Sequence, residues 1–127
     1  MNKAQNLLIA AKAVVSDPAK LISGTLVKNG CYCSLGAIGK ASGMSDDDLD
    51  GVERYEDTFG QWPAVQALAK AITEYDAALG KHGRGYAEAG TASTARVFIF
   101  SDECANSEAD GHARLMRIFD RALDLAV

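Results

Sequence analysis

Apolar residues recur along this chain at two different spacings, and the change of spacing divides it. From residue 3 to 15, Ala4, Leu7, Leu8, Ala11, Val14 and Val15 fall three or four apart. That spacing predicts an amphipathic helix. Ser16-Asp17-Pro18 ends it, because proline disfavours helical backbone in the residue before it. Leu21 to Cys33 is rich in β-formers, and Asn29-Gly30 is a hairpin-turn dipeptide, so a small hairpin or extended loop is expected there. Ser34 to Ala41 reads as a short helix of mostly small residues. Trp62 to Leu79 predicts a long helix with Pro63 at its first position and Gly80 as its stop. Its stripe is Val65, Leu68, Ala69, Ile72, Tyr75 and Leu79.

Beyond it the pattern weakens. Glycines at 80, 83, 85 and 90 predict a loop from Gly80 to Ala95. "RVFIFSDE", residues 96 to 103, reads as containing a short buried strand or extended segment. Glu108 to Ala126 predicts the closing helix, with Met116, Phe119, Leu123 and Ala126 on one edge and Leu115, Ile118 and Ala122 beside them. Ser107 and Asp110 have the spacing of a capping box. The sum is a mainly α fold: one compact domain over residues 1–127, with four or five helices and a minor β-hairpin or short strand pair.

Composition narrows the function. A hydrophobic share of 48% in 127 residues suffices for one core. The net charge of −4 gives no general attraction to nucleic acid or to an anionic membrane, so neither is expected as a partner. No stretch approaches the roughly 18 apolar residues of a membrane span. The first helix is interrupted by Lys12, unlike a secretory leader, and three cysteines fit a reducing compartment. A cytoplasmic location is expected.

"SDDDLDGVERYED" carries seven acidic residues in thirteen. Counted from Asp46, the residues Asp46, Asp48, Asp50, Gly51 and Asp57 fall on positions 1, 3, 5, 6 and 12 of an EF-hand loop. That makes the four aspartates candidate calcium ligands. Position 12 is Asp instead of the longer Glu, position 8 is the charged Glu53, and the glycine-rich segment before it is a poor entering helix. The favoured reading is a helix starting at Ser45, with Ser45 as N-cap and Asp48 in a capping-box relation.

"GCYCSLGAIGKA", residues 30 to 41, is the most distinctive segment. Cys33 just before a helix is a candidate nucleophile, because a helix dipole lowers thiol pKa. His82 or His112 would be its base and Asp102 the orienting group. Cys31, Cys33, Cys104 and His112 form a candidate zinc set, though Cys-x-Cys is an unusual spacing. The favoured alternative is packing: buried thiols beside Gly36, Ala37 and Gly39. No cofactor is expected. "GKHGRG", residues 80 to 85, only partly matches a phosphate loop. Trp62 reads as a core anchor.

"CSLGAIGKA" together with "FIFSDECANSEADGHARLMRIFDRAL" resembles a domain family of unknown function from bacteria, notably actinobacteria, and their phages. The resemblance rests on Cys33, Leu35, Gly36, Ala37 and Ile38, then on Ser101-Asp102, then on Phe119, Asp120, Arg121, Ala122 and Leu123. Ser101 stands where the family has Asn. The resemblance implies a compact, mainly helical domain and supplies no activity. Cys33 and Asp102 are also expected to share one structural unit: Asp102 follows the apolar run Val97 to Phe100 and would accept from N–H groups at the start of the small-residue helix. The leading functional expectation is a non-enzymatic binding or accessory module with a protein partner, phage-encoded and acting on a host protein. The alternatives are a cysteine- or metal-dependent enzyme centred on Cys33 and a calcium-binding module using residues 46–57.

Overall fold

The computed structural model describes residues 1–78, 93–107 and 110–127. Among them run seven helices: α1 (Lys3–Val14), α2 (Ser34–Ala41), α3 (Asp46–Asp50), α4 (Tyr55–Phe59), α5 (Pro63–Ala78), α6 (Ser93–Asn106) and α7 (Gly111–Leu125). Two short strands, β1 (Val27–Lys28) and β2 (Cys31–Tyr32), and a 3-10 turn (Pro18–Lys20) complete the order. The expected mainly α domain with a minor antiparallel strand pair is what forms. The helix number exceeds four or five because the acidic stretch supplies two short helices and residues 96 to 103 are helical.

Asn29 and Gly30 both take positive φ, 52° and 75°. That is the backbone a two-residue hairpin turn demands. It sets the register Val27 against Tyr32 and Lys28 against Cys31.

One core is formed by Leu8, Ala11 and Val15 of the first segment, Leu35 and Ile38 of α2, Val65, Leu68 and Ile72 of α5, Val97 and Phe100 of α6, and Leu115, Ile118 and Phe119 of α7. α5 packs on α6 and α7, and α1 packs on α2 and α7. The seam between α1 and α7 is pinned by polar contacts. The Asn2 side chain, already in a capping box with Gln5, donates to the Ala126 carbonyl at 2.6 Å. Lys12 meets Asp120 at 2.7 Å.

The largest departure from the sequence pattern is α6. The run Val97 to Phe100 favours a strand locally, yet it lies mid-helix. Thr94, Val97, Ser101 and Cys104 are buried at helical spacing. Tertiary packing overrides local preference here. α7 begins at Gly111 with Asp110 as N-cap and no side-chain capping bond, so the capping box expected from Ser107 does not form. The stop expected at Gly80 and the "GKHGRG" stretch lie outside the described residues, as does His82.

Candidate functional site

The acidic run resolves first. Ser45 caps α3: its side chain accepts from the Asp48 N–H at 3.0 Å, and Asp48 accepts in return from the Ser45 N–H at 3.0 Å. Gly51 is the C-cap, so it costs no helix interior. Asp46 accepts from the Tyr32 hydroxyl at 2.6 Å and from Lys40 at 3.1 Å. Those two donors hold its carboxyl below the usual range. The stretch is two short helices, α3 and α4, so Asp46, Asp48, Asp50 and Asp57 do not wrap a common centre. Among the described residues no group of three or more His, Cys, Asp or Glu is placed to hold a metal ion. The same finding separates Cys31, Cys33, Cys104 and His112.

His112 and Cys33 serve different places. His112 Nε2 lies 2.8 Å from the Val15 carbonyl oxygen, which only accepts, so this nitrogen carries the proton and donates to the C-cap of α1. His112 lines a cavity of about 220 Å³ with Cys104. Cys33 lines another, which contains no histidine among the described residues. The expected pairing of Cys33 with His112 as its base does not form, because the fold places them at different cavities.

Cys33 is the N-cap of α2 and is 2% exposed. Burial pushes its thiol up to about 11, while the Leu35 and Gly36 N–H groups pull it back only in part. The expected lowering by the helix dipole is therefore overcome by desolvation, and the thiol is protonated at neutral pH.

The two motif segments meet at the start of α2. The Cys33 N–H donates to the Leu26 carbonyl at 3.3 Å. Gly36 lies so close to that carbonyl that a Cβ there would overlap it. From the other side Ser101 Oγ accepts from the Ser34 N–H at 3.0 Å and from the Ser34 hydroxyl at 2.8 Å. Both serines are buried. Ser101, not Asp102, thus satisfies the helix start. Asp102 turns to the preceding loop, where its Oδ1 accepts from the Gly24 N–H at 3.1 Å. The expected unit of Cys33 and Asp102 exists, with this correction of roles.

Cys33 and Asp102 line one pocket of about 90 Å³ together with Gly24, Thr25, Tyr55 and Phe98. The Tyr55 and Phe98 rings stand at 90° with centroids 5.5 Å apart. Burial raises the Asp102 carboxyl, partly offset by the Gly24 N–H. Burial also raises the Tyr55 phenol, helped by Cys33 and Asp102. Outside this pocket lies an open hollow of about 580 Å³, which shares Tyr55 and Phe98. Among the described residues its walls include Glu53, Glu56 and Asp57 against one cation, Arg54. Glu56 accepts from the Thr94 N–H at 3.1 Å and from its hydroxyl, which fixes the hollow against α6.

Tyr55 and Phe98 were not legible as site residues. Tyr55 stands inside the acidic run, and Phe98 reads as part of a strand. A larger groove of about 810 Å³ runs between α1, the end of α2 and the start of α5, walled by Leu7, Ala10, Ala41 and Trp62. Trp62 is half-buried there, edge-on to Phe59 at 4.9 Å, so it is a groove wall as well as a core anchor. Lys3 is the groove's one charged lining residue among those described.

No family model, no curated protein and no solved structure matches the chain. The resemblance drawn from Cys33 to Ile38, Ser101-Asp102 and Phe119 to Leu123 rests on those residues alone. No helix among the described residues is long and apolar enough to cross a membrane.

Proposed function

We propose that this chain is a non-enzymatic binding module that docks a basic segment of a protein partner in the hollow beside α4 and α6. One observation carries the reading: among the described residues three carboxylates, Glu53, Glu56 and Asp57, wall that hollow against a single guanidinium. Complementary charge steers encounter and excludes like-charged partners. The larger groove offers no comparable basis for choosing an occupant. On the resemblance, the module is phage-encoded and the partner a host protein.

Selection from a random-sequence peptide library tests the docking. Enriched peptides carry Lys or Arg, weaken as salt rises, and lose about tenfold in affinity to a Glu53→Lys/Asp57→Lys double variant whose melting curve is unchanged. Enrichment of peptides without basic residues, or binding indifferent to the variant, rejects the reading.

A cysteine-dependent enzyme centred on Cys33 is the second reading, supported by Cys33 and Asp102 sharing one pocket. Against it stand a thiol held near 11 and, among the described residues, a pocket lining without histidine. Rapid alkylation of Cys33 in the folded protein would favour it.

A further inference from the structure

We propose that the small pocket between Asp102, Tyr55 and Phe98 binds an alkylammonium group, the chemistry of a lysine side chain or its methylated form. The inference rests on the basic-segment reading above and names the group that the inner pocket takes.

The lining selects the ligand by exclusion and by fit. Asp102 brings a carboxylate into a partly buried place, which repels anions and leaves a charge that a neutral guest would not offset. A divalent cation needs more oxygen or thiolate ligands than one carboxylate beside a protonated thiol. An ammonium needs less. One carboxylate oxygen supplies a charge-assisted hydrogen bond. Two perpendicular aromatic rings, Tyr55 and Phe98, supply the walls that attract a cation and cover an alkyl stem. Asp102 Oδ1 already accepts from Gly24, which disfavours the parallel two-oxygen grip a guanidinium prefers. The volume of about 90 Å³ suits a small head group, and Tyr55 and Phe98 wall both this pocket and the acidic hollow, where a longer chain would lie.

The test is a titration of the full chain with n-butylammonium, followed by amide and aromatic NMR, with n-butanol and n-butylguanidinium as matched controls. The expected result is saturable shifts at Gly24, Tyr55 and Phe98 with butylammonium, and at least about tenfold weaker binding of either control. Asp102→Asn, with its amide spectrum checked for folding, should weaken butylammonium by about tenfold or more. Phe98→Leu, which keeps apolar bulk and deletes the ring, should weaken it severalfold. No saturable shift, equal binding of butanol, tighter binding of butylguanidinium, or indifference to Asp102→Asn overturns the proposal. Failure here with basic peptides still binding rejects the pocket and leaves the hollow standing. Butylammonium binding without any basic peptide selected does the reverse.

Discussion

Ser101 and Asp102 are neighbours that do different work, and each makes a prediction. Ser101→Ala leaves the buried Ser34 N–H without its acceptor and should cost about 1–3 kcal/mol in denaturant unfolding. Asp102 has the opposite sign. Its carboxyl is raised above the ordinary 3.8, so the folded protein holds that proton more tightly than the unfolded chain does. The full contribution is present below the unfolded value and is lost as pH rises through the folded one. Asp102→Asn should therefore match the wild type in acid and melt higher at neutral pH; a lower melting temperature at neutral pH would contradict this. Cys33 should alkylate far more slowly in the native protein than in urea, because burial holds it near 11. The sequence pointed to Cys33 and to Ser101-Asp102 as a unit but assigned the cap one residue too far along. A strand reading sets adjacent side chains on opposite faces, whereas a helix turns them by about 100°. On α6 that turn sends Ser101 to α2 and Asp102 to Gly24.

At the scale of elements, what was legible followed from strong local chemistry. The Asn29-Gly30 turn, the Ser45 cap and the α1 and α5 stripes are each specified by a few adjacent residues. α6 was not: its buried stripe is Thr94, Val97, Phe100, Ser101 and Cys104. Two of those five are hydroxyl residues, which blurs the helical period, while Val97 to Phe100 imitates a strand. The pocket was illegible for the same reason, since it exists only where α4 and α6 converge. The five-residue α3 is too short to persist alone and depends on its cap and on buried Leu49. Ser45→Ala should lower stability by about 1 kcal/mol in denaturant unfolding. Asp46→Asn should lower the melting temperature at neutral pH, with the gap closing as pH falls through the depressed carboxyl value. Gly36→Ala should be worse than either, by about 2–3 kcal/mol or more, because the added methyl meets the Leu26 carbonyl, which is backbone.

Across the whole molecule, the seam between α1 and α7 joins residues very distant in sequence: Asn2 reaches Ala126, 124 positions away, and Lys12 reaches Asp120, 108 away. On a ribosome, α1 and α2 can meet early, since only the hairpin and its approach separate them. The other flank of α1 waits until nearly the last helix has emerged. Synthesis therefore passes through a stage in which a half-covered α1 presents apolar surface, and closure of the longest loop in the fold comes late. Nascent chains stalled before residue 111 should be cut readily within α1 by a protease, and chains released with α7 should resist it.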